Sequence, residues 1–470
     1  MKTQKTKIIA TVGPSCSNKE VLQSLIDIGV DCFRVNLSHG SMKEKAEFFD
    51  LVKSVKTSSG DRPTILADLS GPKIRVDGLK KTLNLAKGDS IKISNEEEGA
   101  GVIPVSNVVR FQSVNPGAKI LINDGLISLT VKEHVSDRTL VCEAVIPGKV
   151  ENRKGVNFPG IDLDVPPLTK QDELDLKLSL EKGADWVALS FVRSASDYDL
   201  VRTKVEEYGY KTPIMAKIEK WEAVTNLDSI IDTFDAVMVA RGDLGVELPL
   251  ERVPLIQKEV ITKASQASKP VIIATQILDS MTERPVPTRA EVSDIANAIL
   301  DGADALMVTG ETAAGKYPGK VIKVLNRVIQ ETESAIDYEE FYIEPEHENI
   351  NTSKAISHAA CSVAEDQGIK ILVTMTHSGS TARMAARYRP DARIIAMTPK
   401  EEICRQLSIV WGVSSMLVDR YTSSNEIPDI ANIVLKRENL LNVGDKYVIT
   451  GGVPVGVAGT TNFLSVLEVE

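Results

Sequence analysis

The sequence predicts a (β/α)8 barrel, interrupted by a small β-barrel lid domain and followed by a compact α/β domain. Three observations carry this reading. Short β-branched runs alternate with amphipathic helical stretches, and eight such units fall within about 240 residues. The rhythm stops at Gly71-Pro72 and resumes at Leu168. A second α/β alternation fills residues 351–470.

Three units precede the interruption: strand Lys7 to Val12 with helix Asn18 to Gly29, strand Cys32 to Leu37 with a helix from Ser41 to about Val55, and strand Thr64 to Leu69. After it, Thr169 caps a helix running to Lys182, because its hydroxyl can accept an orphan N–H of the first turn. Strands Trp186 to Phe191, Pro213 to Glu219, Ala236 to Ala240, Pro270 to Thr275 and Ala305 to Thr309 complete eight. A closed barrel accounts for eight units better than an open doubly wound sheet, which the pattern alone leaves as the alternative.

The interruption holds short segments at Ser90 to Ile93, Lys119 to Ile122, Ile127 to Val131 and Thr139 to Val145 among Gly, Pro, Asn and Asp turns. The expected domains are a discontinuous barrel over 1–70 and 166–340, an inserted lid over 71–165, and a C-terminal domain over 351–470. The acidic stretch Tyr338 to Ile350 reads as a connection. Strands Ile371 to Met375, Arg393 to Met397, Ser415 to Val418, Lys446 to Thr450 and Phe463 to Val469 build the last domain.

At 470 residues, with 43% hydrophobic and 26% charged, the chain has a globular composition, and no run reaches the roughly 18 apolar residues of a membrane helix. The N-terminus lacks the pattern of a signal peptide, and five scattered cysteines without CxxC spacing suggest neither disulfides nor zinc. A cytoplasmic protein is expected. The net charge of -10 argues against nucleic acid and membrane partners. A small anionic substrate would then need basic groups and a metal gathered in one pocket.

In such a barrel the site lies at the C-terminal ends of the strands. Those ends carry Arg34, Asn36, Ser38, His39, Asp68, Lys217, Glu219, Arg241, Asp243, Thr275, Thr309 and Glu311. Lys217 and Glu219 are two apart on a strand, so both face the barrel interior. Buried charge requires compensation. A salt bridge, Lys217 to Glu219 or Arg241 to Asp243, is one account; a divalent-metal site on Glu219 and Asp243 is the other, since hard oxygens suit Mg²⁺ or Mn²⁺. The run Ala240 to Gly245 looks like a tight turn whose N–H groups could approach an anion. Asn36, Ser38 and Asp68 are oxygen donors for a monovalent cation or a nucleotide. His39, His358 and His377 have ordinary structural readings.

The stretches "TKIIATVGPS" from Thr6, "FRVNLSHG" from Phe33, "KGVNFPG" from Lys154, "IMAKIE" from Ile214, "VARGDLGVELP" from Val239, "ATQILDSM" from Ala274, "PTRAEVSDIANAILDGADALM" from Pro287 and "TGETAAGKYP" from Thr309 resemble pyruvate kinases over essentially the whole chain. The resemblance implies phosphoryl transfer between phosphoenolpyruvate and ADP/ATP in glycolysis, with Mg²⁺ or Mn²⁺, and a homotetramer. It places Arg34, Lys217, Gly242, Asp243 and Thr275 at the substrate, with Thr275 near the enolate carbon that must be protonated; Glu311 and Thr309 could complete a water-mediated proton path to it. Asn36, His39, Arg75 and Lys154 fall on the nucleotide side.

Where many relatives read Asp-Thr-Lys-Gly-Pro-Glu, this chain has Asp68-Leu69-Ser70-Gly71-Pro72-Lys73. The expectation is that the Lys73 charge substitutes for K⁺, which is then not required, although the cation ligands Asn36, Ser38, Asp68 and Leu69 remain. In the last domain, "THSGSTARMAARYRP" from Thr376 sets Thr376, Ser378, Ser380 and Thr381 where relatives bind phosphorylated effectors; an ordinary helix cap is the other reading.

Overall fold

The computed structural model describes residues 4–338 and 351–470, apart from 58, 98, 107–109, 164 and 458. The connection expected over 338–350 therefore lies, beyond Tyr338, outside the described residues.

Eight parallel strands close into a barrel: Lys7–Thr11, Cys32–Asn36, Thr64–Asp68, Trp186–Leu189, Ile214–Ile218, Ala236–Ala240, Val271–Ala274 and Ala305–Val308. Each pairs with its neighbour in sequence, and the first and eighth close the seam through Lys7↔Ala305 to Ala10↔Val308. The expected strand ends ran one or two residues longer at most positions. The chain turns away from the ladder there to form the site, and side-chain alternation continues past the last ladder bond.

Alternation decides what fills the lumen. Ile9, Cys32, Leu66, Trp186, Ala188, Met215, Met238, Ile272 and Met307 point inward with Ile409 from below, while Ile214, Ala216 and Ile218 pack outward on the helices. A polar layer built from Arg34, Asp68 and Lys217 lies above this apolar plug.

Helices Met42–Lys53 and Lys170–Glu181 flank the interruption in sequence and lie side by side. Both begin with capping boxes, on Ser41/Glu44 and Thr169/Asp172. Lys45, buried in the first, sits 2.7 Å from Asp175, buried in the second.

The inserted segment forms a six-stranded sheet in the order Val156–Asn157, Lys119–Ile122, Ile127–Ser136, Thr139–Ile146, Ser90–Ser94, Val102–Pro104, plus a ribbon of Leu83–Leu85 with Gly148–Val150. It is a curled sheet and not the closed small barrel expected. Irregularities along the long hairpin curve it. Its core gathers Ile93, Phe111, Ile120, Leu129, Leu140 and Phe158. The three-residue strands were not foreseen, because so short a run shows no alternation.

The C-terminal domain is a five-stranded sheet, Val413–Leu417, Arg393–Thr398, Ile371–Met375, Lys446–Gly452, Thr461–Glu468, with only the last strand antiparallel. It docks on the N-terminal face of the barrel. Lys7 Nζ donates to the Val413 carbonyl at 2.8 Å, the Thr64 hydroxyl to Arg405 O at 2.7 Å, Trp186 Nε1 to Gln406 O at 3.2 Å, and Trp411 N to Asp304 Oδ1 at 3.0 Å. The opposite face is left to the lid. Among the described residues, no helix is long and apolar enough to cross a membrane.

Candidate active site

Parallel register brings three strand ends together. Arg34 lies across from Leu66, Asn36 from Asp68, and Ala188 from Asp68. Arg34 Nε then meets Asp68 Oδ2 at 2.6 Å, and Lys217 Nζ lies 3.3 Å from Asp68 Oδ1, 2.8 Å from Glu219 Oε1 and 2.8 Å from Ser190 Oγ. Arg34 Nη1 also donates to the Thr11 hydroxyl at 3.2 Å. Asp68 and Glu219 are each 1% exposed, and Lys217 8%. Two buried carboxylates are thus balanced by two cations, which is what keeps the cluster tolerable in a medium that disfavours lone charge.

The titration behaviour follows. Burial alone would push the Asp68 carboxyl up, but the Lys217 and Arg34 charges outweigh it and hold it below the usual range. Burial likewise opposes the Lys217 ammonium, yet Asp68 and Glu219 raise its pKa above the ordinary lysine value. Glu219 goes the other way: burial first, then the negative charge of Asp243, lift it above the ordinary range against the pull of Lys217. Glu219 Oε2 accepts the Phe191 N–H at 2.8 Å, and Phe191 takes φ +58° to aim it there.

Asp243 stands in the first turn of the short helix Arg241–Glu247, which replaces the tight turn expected. Its Oδ1 is 2.7 Å from Lys73 Nζ, which also lies 5.8 Å from the Phe191 ring centre. The barrel chain leaves for the lid at Gly71, whose φ of +68° and position matter: a Cβ there would come within 2.8 Å of Phe191 and 2.9 Å of Ser190.

Arg241 does not pair with Asp243. Its guanidinium binds Asp294 at 2.6 and 2.8 Å and donates to the carbonyls of Thr275 at 2.9 Å and Gln276 at 3.0 Å. These two residues hold φ of +67° and +55°. A β-branched residue rarely adopts that region, at a cost of about 1–3 kcal/mol, so the bidentate arginine is what holds Thr275 in place. The Thr275 hydroxyl accepts the Gly242 N–H at 2.8 Å. Sequence reasoning placed Arg241 at a strand end but missed this role; its one signal was an arginine beside the metal-type aspartate.

Glu311, buried, accepts from Thr309 N at 2.6 Å, the Thr309 hydroxyl at 3.2 Å and Leu278 N at 3.2 Å. Toward the lid, Arg75 donates to the Arg153 carbonyl at 3.0 Å. Burial, then the charges of Arg75, Arg34, Arg153 and Lys45, depress the His39 pKa, since the ring sits in a cationic approach. Arg153, at φ +68°, was not anticipated. Asn36 Oδ1 accepts Ser38 N at 3.2 Å, and Leu69 O accepts the Ser190 hydroxyl at 2.7 Å. The Lys154 carbonyl accepts Val76 N at 2.8 Å, which fixes its backbone at the hinge.

Thr376, Ser378, Ser380 and Thr381 lie in the C-terminal domain and are not part of this cluster. Thr376 Oγ1 accepts Gly379 N at 2.9 Å, Ser378 bonds Ser380 at 3.1 Å, and Thr381 bonds Thr461 at 2.8 Å. His358 and His377 pack on Tyr388 and Tyr421.

The donor set tests for a metal. Among the described residues no three His, Cys, Asp or Glu are grouped to hold a metal, so a divalent ion at this mouth would have to rest on a pair such as Glu219 and Asp243. Two hard carboxylates, one of them raised first by burial and then by the Asp243 charge, fit a Mg²⁺-type ion that keeps waters and takes the rest of its ligands from substrate.

Fold and site together define a lidded (β/α)8-barrel enzyme for an anionic substrate. Its sequence matches the family models described as "Pyruvate kinase, barrel domain" over residues 3–322 and "Pyruvate kinase, alpha/beta domain" over 354–467. It is 41% identical to a pyruvate kinase of Clostridium acetobutylicum, covering 99% of this chain and 100% of that one, and 42% identical to one of Agrobacterium vitis, covering 99% and 97%. A crystal structure of a pyruvate kinase from Cryptosporidium parvum superposes with a TM-score of 0.90 at 34% identity, covering 99% of this chain and 96% of that one. The chain belongs to the pyruvate kinase family, and is a phosphotransferase.

Proposed function

We propose that this barrel mouth transfers the phosphoryl group of phosphoenolpyruvate to ADP, giving pyruvate and ATP, and that the lid over 71–165 closes on the nucleotide. The observation that supports this best is the Lys217 ammonium, held between Asp68 and Glu219 with its charge fully retained. Lys217 and Arg34 neutralise the oxygens of the group in flight, and being pre-oriented they need no reorganisation as charge develops. Glu219 and Asp243 would hold Mg²⁺ or Mn²⁺, which supplies Lewis-acid neutralisation of substrate carboxylate and phosphoryl oxygens.

Thr275 faces the enolate that dephosphorylation leaves, and Glu311 with Thr309 orders the proton path to its carbon. Arg75 and Lys154 meet nucleotide phosphates, Asn36 and His39 lie on the nucleotide side, and lid closure excludes the water that would otherwise take the phosphoryl group. The protein acts in the cytoplasm as a homotetramer, which sedimentation would check. ADP-dependent formation of pyruvate from phosphoenolpyruvate, measured with and without Mg²⁺ and K⁺, tests the whole reading. Absence of turnover with Mg²⁺ present would overturn it.

A further inference from the structure

Glu247 closes the short helix whose first turn carries Asp243. Its side chain is buried, and a single oxygen gathers donors from two distant parts of the chain: Asn157 Nδ2 reaches Oε1 at 2.9 Å and Lys220 Nζ reaches the same atom at 3.0 Å. Asn157 ends Val156–Asn157, the last strand of the lid, and Lys220 directly follows Glu219. The other oxygen, Oε2, is buried with no partner among the described residues. A carboxylate withdrawn from water with half of its accepting capacity unused does little for stability, and such a group calls for another account.

That account lies in what the helix joins. Arg241–Glu247, seven residues, is only about 10 Å long, and each of its ends holds one root of the lid. At its first turn Asp243 holds Lys73, from the segment by which the chain enters the lid, at 2.7 Å. At its last residue Glu247 holds Asn157, from the strand nearest the exit. The two roots also touch each other: Val156 N donates to the Ile74 carbonyl at 2.9 Å, and a Cβ on Gly155 would come within 3.2 Å of Lys73 Cε. A cavity of about 50 Å³, with Lys73, Asn157, Phe191 and Lys220 in its wall, leaves the roots room to shift. The ties differ in one respect. A cation drawn to Asp243 competes with Lys73 for it, whereas the Asn157 bond to Glu247 involves neither carboxylate of the metal pair.

We propose that Glu247 is a positioning residue for phosphoryl transfer, the pivot through which the attitude of the lid and the placement of the two metal carboxylates depend on each other. Asn157 brings the lid to it, Lys220 ties it to the strand end of Glu219, and its own helix ties it to Asp243. The inference rests on the reading of Glu219 and Asp243 as the metal pair. Glu247 itself touches neither metal nor substrate; it acts through the three residues that meet or adjoin it. Because the same helix begins with Arg241 and Gly242, which hold Thr275, a shift at the pivot also reaches the group that faces the enolate.

The test uses the full-length protein and three readings: Mn²⁺ binding without substrate, by electron paramagnetic resonance; deuterium exchange of the lid-root segment 155–158 with and without Mn²⁺; and half-saturation by ADP and by phosphoenolpyruvate. In the parent, Mn²⁺ should change exchange of that segment by about 3-fold or more, as expected of a local opening equilibrium that the metal biases. In Asn157→Ala, which leaves Lys220 on Glu247 and strands no buried charge, Mn²⁺ should still bind but the exchange response should vanish, and half-saturation by ADP should rise by about 10-fold with that for phosphoenolpyruvate little changed. Glu247→Ala should weaken Mn²⁺ binding by about 10-fold as well, and Glu247→Gln, which keeps an oxygen for both donors, should recover most of that loss. A purely structural role would move none of these readings separately, and if Glu247→Ala does not fold, Asn157→Ala carries the decision. An exchange response that persists in Asn157→Ala would assign the link to Lys73 and overturn the proposal, as would parent-like Mn²⁺ affinity in Glu247→Ala. Loss of Mn²⁺ binding in Glu219→Gln with no exchange response in the parent would overturn the pivot alone; Mn²⁺ binding that survives Glu219→Gln would overturn the metal pair and the pivot with it.

Discussion

Lys73 Nζ lies 2.7 Å from Oδ1 of Asp243, although the two residues are 170 apart in sequence and one stands at the root of the lid. A cation from the root of the lid therefore rests on one of the two carboxylates proposed for the metal. The expectation from the sequence that the Lys73 charge replaces K⁺ makes a direct demand: turnover should persist when K⁺ is exchanged for tetramethylammonium at equal ionic strength. A fall of several orders of magnitude would sink it. Lys73→Gln should tighten Mn²⁺ binding to the substrate-free enzyme by about 3- to 10-fold, since a partly exposed ion pair contributes about 1 kcal/mol; electron paramagnetic resonance of free Mn²⁺ reads this.

As a proposed metal ligand, Glu219 should give metal binding a pH dependence. Its raised pKa means that a proton competes for the carboxylate above the ordinary range, so metal affinity falls on acidification earlier than an exposed glutamate would predict. Removing Lys217 deletes the charge that holds this pKa down. In Lys217→Met the loss of affinity should move to higher pH, and kcat should fall by about 10³-fold or more. Unchanged turnover would refute the role given to Lys217.

Arg241→Gln should release the left-handed backbone at Thr275 and Gln276. A lowered kcat, by about 10²-fold, with little change in half-saturation by phosphoenolpyruvate, is the expected split, because misplacing a positioned group acts on the reacting geometry more than on binding. Equal losses in Arg241→Lys and Arg241→Gln would agree with a bidentate requirement; full activity in either would contradict it.

His39 should titrate below the ordinary histidine value in the free enzyme, and ADP should raise it. The sign follows from the surroundings: cations disfavour the imidazolium, and bound phosphates neutralise them. By linkage ADP then binds more tightly as pH falls through that range. Histidine resonances followed with and without ADP measure both values, and a pKa unmoved by ADP would remove His39 from the nucleotide side.

Lys45→Met should destabilise the protein by about 3–5 kcal/mol, since it strands the buried Asp175 carboxylate. Lys45→Met with Asp175→Leu should regain most of the loss. Urea unfolding of the two variants makes the comparison.

The barrel was legible because alternation and helical periodicity are local, and so was the inward orientation of Lys217 and Glu219; that the two pair is a finding of the structure. What escaped was everything decided by register or by distant approach. Arg34, Asp68 and Ser190 converge because three strands align their ends, and nothing in a single strand announces that. Arg241 could have closed on Asp243, its neighbour but one; Asp294 wins because it sits on another helix facing the guanidinium. The lid's short strands were lost for a different reason: three residues are too few to show a period, and Leu83–Leu85 reads as loop until Gly148–Val150 lies beside it.

The seam between Lys7–Thr11 and Ala305–Val308 has a consequence in time. Residues Lys7 and Ala305 are synthesised 298 positions apart, which at 5–20 residues per second is roughly 15–60 s. Throughout that interval the first strand, with Ile8 and Ile9, presents an unpaired apolar edge on a growing chain. Such an edge is a template for pairing with other chains. Strand Cys32–Asn36 pairs with the other edge of Lys7–Thr11, so the seam edge stays open until the last stave of the barrel leaves the ribosome.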